Sequence, residues 1–224
     1  MKRSEINRAI LHAIETLDAN NMRLPDFAYW PPSEWVKHDV TNIQAVGLGW
    51  DVTDFGTGDF SHIGAVLFTV RNGCITDPLA GTPYAEKIIF QLHETEQEIP
   101  FHFHRLKTED IINRGGGVLM LELYNSTLEG GLDKERNVKV KMDGFWHTFP
   151  PGMIVEVEKG NSITLPPGLH HRFWAKKDSG DLIVGEVSSI NDDTVDNVFL
   201  KVPKRFTEIE EDELPKFLLC GDLS

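Results

Sequence analysis

From about residue 60 the chain runs in short apolar stretches broken by glycine, proline and asparagine, and that rhythm leaves few folds open to it. "GAVLFTVRNG", "EKIIFQLHE", "PFHFHR", "GVLMLELYNS", "VKVKMDG", "MIVEVEKGNSITLPPG", "HHRFWAK" and "DLIVGEVSSI" follow one another with no room for crossover helices. Strands this close pair antiparallel and close into a sandwich or barrel rather than βαβ units. The first run ends in Asn72-Gly73, which predicts a tight hairpin there. The fold class is therefore all-β.

Ahead of the strands, Ile6, Ile10, Ala13, Ile14 and Leu17 recur at helical spacing, with Ser4 as candidate N-cap and "DANN" as the stop. They predict one amphipathic helix over about residues 4–19. "DFAYWPPSEW" then reads as an irregular segment whose Tyr29, Trp30 and Trp35 cover one end of a core. The tail "RFTEIEEDELPKFLLC" is acidic with scattered apolar anchors, a helix or strap packed outside. No repeat or linker divides the chain, so its 224 residues read as one domain. Within it, 1–60 is a helical and irregular extension, about 61–200 the barrel, and about 201–224 the strap.

A formal net charge of −13 argues against nucleic acid and anionic membranes as partners, because phosphate binding needs clustered Lys and Arg. "MKRSEINRAILHAIETL" lacks the apolar core of a signal peptide, and no segment approaches the roughly 18 apolar residues of a membrane span. Cys74 and Cys220 form no CxxC pair, which suits reduced thiols. The expectation is a cytoplasmic protein.

The chemistry gathers in "PFHFHRLKTED". On a strand, side chains alternate between faces, so His102 and His104 project from one side while Phe101, Phe103 and Arg105 face the other. The two imidazoles can share a metal, and Glu109 can add an oxygen after a turn. Such a set suits Mn, Fe, Co, Ni or Zn and is too rich in nitrogen for Ca or Mg. Taken alone, the segment also fits two histidines in an ordinary half-buried strand.

A second block, "GNSITLPPGLHHRFW", adds a Pro-x-Gly-x-x-His turn entering a strand. Together the two blocks resemble the paired motifs of the cupin superfamily. The first matches at His102, His104, Glu109 and Gly116, the second at Gly160, Pro166, Gly168 and His171. The resemblance implies a jelly-roll type barrel holding a metal by three histidines and one glutamate. Glu96 stands where the first motif opens with glycine, and Ala175 where the second closes with asparagine. Neither position supplies a ligand, so the departures bear on turn geometry. Of the adjacent histidines only one can face inward; motif spacing favours His171, leaving His170 outside with Arg172 and Trp174 or hydrogen-bonded near the rim.

A narrower likeness follows from "YAEKIIFQ", "FHFHRLKTEDIINRGGG", "LPPGLHHRFW", "GEVSSINDDTVDNVF" and "RFTEIEEDE", which resemble the D-lyxose isomerase family of cupins. That resemblance implies a manganese-dependent, homodimeric aldose–ketose isomerase acting on D-lyxose/D-xylulose and often D-mannose/D-fructose. Four protein ligands leave open positions on an octahedral ion, whereas a closed structural zinc leaves none. Glu186, interrupting "LIVGEVSSI" on the face of Leu182 and Val184, is the candidate proton shuttle. Lys107, inside the metal block, is a candidate cation for an enediolate or for ring opening, with an exposed loop lysine as the alternative. Lys87, Asp193 and Arg205 are candidates for gripping sugar hydroxyls. Gly115–Gly117 reads as a flexible turn, not a phosphate loop, since no Lys-Ser follows it. Two rival readings are an iron- and O2-dependent cupin dioxygenase and a non-catalytic sugar-binding cupin.

Overall fold

A computed structural model of the chain describes residues 1–190, 196–201 and 207–223. Helix α1 (Arg3–Ala19) leads into short helical turns at Asp26–Tyr29, Pro32–Trp35 and Thr41–Ala45. Then come β1 (Gly49–Thr53), β2 (Ala65–Gly73), β3 (Gly81–Gln91), β4 (Glu98–His104), β5 (Glu109–Gly115), β6 (Leu119–Ser126) and β7 (Leu132–Asp133). The remaining described strands are β8 (Val138–Met142), β9 (Phe145–Phe149), β10 (Ile154–Val157), β11 (Ser162–Leu165), β12 (Leu169–Ala175), β13 (Leu182–Ser189) and β14 (Asn197–Phe199). They form an eight-stranded sheet in the order β1-β2-β3-β13-β5-β11-β8-β9 and a second sheet in the order β10-β6-β12-β4-β14, with β7 beside β6. No helix among the described residues is long and apolar enough to cross a membrane.

The two sheets share one core. Leu67, Ile89, Ile111, Ile163 and Val184 of the first meet Leu121, Leu123, Ile99, Val155 and Phe173 of the second. Alternate residues of β2, β3 and β13, namely Val66, Phe68, Ile88, Phe90 and Ile183, point the other way, where Ile6, Ile10, Ala13 and Leu17 of α1 cover them. These strands are buried on both faces, which is why they read as unbroken apolar runs. The same alternation turns Lys87 and Glu186 inward beside Ile89 and Val184, and Glu186 pairs across the strands with Lys87.

Helix α1 begins at Arg3 rather than after Ser4. Its first turn is capped by the tail: Asp212 accepts from the Ser4 N–H at 3.0 Å and from the Ser4 hydroxyl at 2.8 Å. Arg3, 2 % exposed, forks onto Glu211 and Asp222, and Asn7 donates to Glu213. The acidic run is thus a strap laid where the helix dipole favours negative charge. Strand β1 precedes residue 60, and β9 was not legible as a strand. Asn72-Gly73 closes no tight turn: β2 continues through Gly73, which pairs with Gly81, while the Asn72 side chain is buried and donates to the Val46 carbonyl. Residues 74–80 make the connection.

Two backbone positions fix how the chain passes between the sheets. Gly116, at φ +81°, lies so close to the neighbouring loop that an added Cβ would sit 1.8 Å from the Asp181 carbonyl oxygen. The triple glycine is therefore a packed crossing, not a flexible turn. Glu96, standing where the cupin motif has glycine, adopts φ +50° in the turn that carries β3 of one sheet into β4 of the other. The turn keeps the conformation glycine favours. Left-handed backbone costs a side-chain-bearing residue about 1–2 kcal/mol, partly offset by the chain entropy of glycine, so Glu96→Gly is expected to stabilise by about 0.5–1 kcal/mol. Gly116→Ala is expected to cost about 2 kcal/mol or more, since steric overlap adds to strain. Denaturant midpoints of the two variants, moving in opposite directions, check both.

Candidate metal centre

His102 and His104 occupy alternate positions of β4 and both turn inward, 6 % and 4 % exposed. Strand β12 pairs with β4 so that His171 stands opposite His102, ring centroids 4.2 Å apart. Glu109 opens β5 in the facing sheet, and its Oε1 lies 3.2 Å from His104 Nε2 and 3.1 Å from His171 Nε2. The ligating atoms of all four residues fall within 4.8 Å of one another. His170 takes the opposite face: its ring packs edge-on to Phe103 and its Nε2 meets the Gly130 carbonyl at 3.0 Å. The other described histidines join no such group.

Hydrogen bonding decides what this cluster can hold. His102 Nδ1 lies 2.9 Å from the Pro100 carbonyl and His171 Nδ1 3.0 Å from that of Leu169, each two residues back. A carbonyl only accepts, so both Nδ1 atoms carry hydrogen, and each ring in its neutral form turns an Nε2 lone pair inward. His104 Nε2, His171 Nε2 and Glu109 Oε1 are buried without a hydrogen-bond partner among the described residues. Lone pairs and a carboxylate crowded this way repel one another until a cation sits among them. The residues fit a divalent metal, and the donor set is the mixed nitrogen and oxygen kind that transition ions take. Burial pushes the His102 pKa well below the ordinary histidine value, helped by His171 and His104. For Glu109 burial pushes upward, but His104 and Lys107 outweigh it and hold the carboxyl well below its usual range.

Beside the cluster lies a buried charge network. Lys107, far from being an exposed loop residue, places Nζ 2.8 Å from Glu109 Oε2 and 2.8 Å from Glu186 Oε1. Lys87 Nζ is 3.8 Å from the same Glu186 oxygen. Lys87, Lys107 and Glu186 are all at most 5 % exposed. Phe55, Phe173 and Phe199 wall the site with apolar surface. The space left is about 40 Å³, little more than the roughly 30 Å³ share of one water. Beyond Lys107 a larger cavity of about 420 Å³ opens between Arg105, Leu106, Ser189, Ile190 and Asp196. Asp193 and Arg205 lie outside the described residues. One neighbour escaped the sequence reading: Asp196 Oδ2 stands 3.3 Å from His104 Nδ1, a contact that only the pairing of Asn197 with His104 reveals.

The D-lyxose isomerase family model matches residues 1–223. D-lyxose/D-mannose isomerase of Serratia proteamaculans is 43% identical over 99% of this chain and 97% of its own length. That of Escherichia coli O157:H7 is 41% identical over 99% and 98%. Among solved structures, a mutant of L-ribose isomerase of Acinetobacter sp. DL28 in complex with L-ribose superimposes with a TM-score of 0.63 at 15% identity, covering 94% of this chain and 98% of that one. L-ribose isomerase of Cellulomonas parahominis with L-ribose gives 0.60 at 16% over the same shares. At that identity the likeness shows the fold, the cupin barrel.

His102, kept neutral by burial, makes metal-free stability depend on pH. Below about pH 6.5 an unfolded histidine takes up a proton that the folded site refuses, so stability is lost as pH falls through that value. Thermal midpoints of chelated protein should drop between pH 7 and pH 5, and His102→Asn should flatten that slope; equal slopes in the two proteins would overturn the assignment.

Proposed function

The chain belongs to the D-lyxose isomerase family and is a sugar isomerase, and on that premise we propose that it interconverts D-lyxose with D-xylulose and D-mannose with D-fructose. The observation that carries the mechanism is Glu186, a buried carboxylate bridged by Lys107 to Glu109 of the metal set. When bound at His102, His104, Glu109 and His171, a divalent cation, manganese on the family resemblance, supplies the positive charge that polarises a carbonyl and steadies an enediolate.

The chain's own residues do the rest. Glu186 takes the proton from one carbon of the C1–C2 pair and returns it to the other, acting as base and then acid. Lys107 places a fixed positive charge beside the oxygens where negative charge develops. Lys87, across the strand from Glu186, adds a second positive charge near the same carboxylate oxygen. Phe55, Phe173 and Phe199 keep bulk water from the enediolate, which favours return of the same proton over exchange. The cavity beyond Lys107 takes the remaining carbons, with Asp193 and Arg205 proposed to grip their hydroxyls. A cytoplasmic homodimer belongs to the same proposal, on resemblance alone.

Protein supplied with Mn2+ and D-lyxose or D-mannose should yield ketose, and a chelator should abolish it; no ketose above the chelated control would sink the reading. Glu186→Gln should lower kcat by about 10²–10⁴-fold, the usual range for a general acid–base, with little change in metal affinity. Turnover in D2O should place some solvent deuterium in the product. Complete retention of substrate hydrogen under all conditions would count against Glu186 as shuttle.

A further inference from the structure

We propose that Asp196 is the positioning residue for His104: it fixes which ring nitrogen carries hydrogen and so aims the other at the metal. The inference rests on reading the buried cluster as a metal site.

Three histidines face the cluster, and two solve the tautomer problem with the main chain. His102 and His171 each turn Nδ1 to the carbonyl two residues back. His104 has no such bond. Its Nδ1 faces Asp196 Oδ2 at 3.3 Å, and among the described residues neither atom has a hydrogen-bond partner. A carboxylate oxygen only accepts, so hydrogen belongs on Nδ1, and Nε2 is left as a lone pair beside Glu109 Oε1.

Asp196 is itself held for this task. Its Oδ1 accepts from the Leu106 N–H at 2.8 Å, and its carbonyl accepts from the Arg105 N–H at 3.1 Å. The next residue, Asn197, pairs with His104 across β14 and β4. The carboxylate is thereby pinned to the chain just past the histidine it faces, with Oδ2 aimed at the ring. Asp196 also lines the larger cavity beyond Lys107. The segment entering β14 therefore joins the wall of that cavity to the geometry of the metal ligand.

Asp196→Asn is the sharp test. Asn keeps an oxygen for the Leu106 N–H and turns its amide N–H group toward His104 Nδ1, which reverses the tautomer and points a hydrogen where the metal should bind. Mn2+ titrated into metal-free protein, with free ion read by electron paramagnetic resonance, should bind about 10–100-fold more weakly to Asp196→Asn than to the unsubstituted protein, at similar thermal midpoints of the metal-free forms. Affinities within about twofold of each other would overturn the role of Asp196 while leaving the metal site standing. Failure of the unsubstituted protein to bind Mn2+ would overturn both. Nitrogen-15 spectra of the unsubstituted, metal-free protein give a readout that does not depend on a variant folding: hydrogen on Nδ1 of His104 supports the proposal, and hydrogen on Nε2 overturns it.

Discussion

The pairing of β12 with β4, which sets His171 opposite His102, is the constraint on which the rest of the site depends. Side chains on a strand change face at every residue, so a slip of one position would bring His170 inward and turn His171 out. The sheet guards this register from both sides. On one flank β12 pairs with β6 along Leu169 to Ala175, and on the other β4 pairs with β14. The interior side chains Leu169 and Phe173 of β12 would be turned outward by the same slip. Packing that holds the barrel together also decides which imidazole joins the buried cluster that could hold a metal.

Glu109 comes from the opposite sheet, so the cluster spans the interior rather than lying on one wall. The same is true of the charges beside it. Lys107 follows β4, while Glu186 and Lys87 stand on β13 and β3. Charges buried this far from water are costly unless each is paired, and removal of one partner leaves the others exposed to that cost. Here Lys107 touches both Glu109, a candidate metal ligand, and Glu186, the candidate base. One ammonium group thus stands between the cluster that could hold a metal and the carboxylate of Glu186.

Much of this was legible in the sequence because it is local. His102 and His104 two apart on a strand, the Pro166–His171 turn, and Glu186 breaking an apolar run each carry their facing within a few residues. The helix over Ile6 to Leu17 was legible for the same reason. What failed depended on partners distant in the chain. Asn72-Gly73 looks like a turn until β2 is seen continuing past it. Gly115–Gly117 looks loose until Asp181 and Gly180 are found pressed against it. Strand β9 exposes Phe145 and Trp146, so no buried face marks it. Asp196 sits in an acidic run where no spacing rule selects it.

The acidic strap has a consequence for how the molecule is assembled. Besides Glu5, which accepts from the Lys2 N–H, the groups that satisfy the opening turn of α1 lie some two hundred residues away along the chain, Asp212 reaching Ser4 and Glu211 reaching Arg3. Short helices are marginal in water until tertiary contacts secure them. The first turn of α1 therefore depends on the strap for part of its capping. Strap and helix secure one another, and loosening either one loosens the outer layer over the eight-stranded sheet.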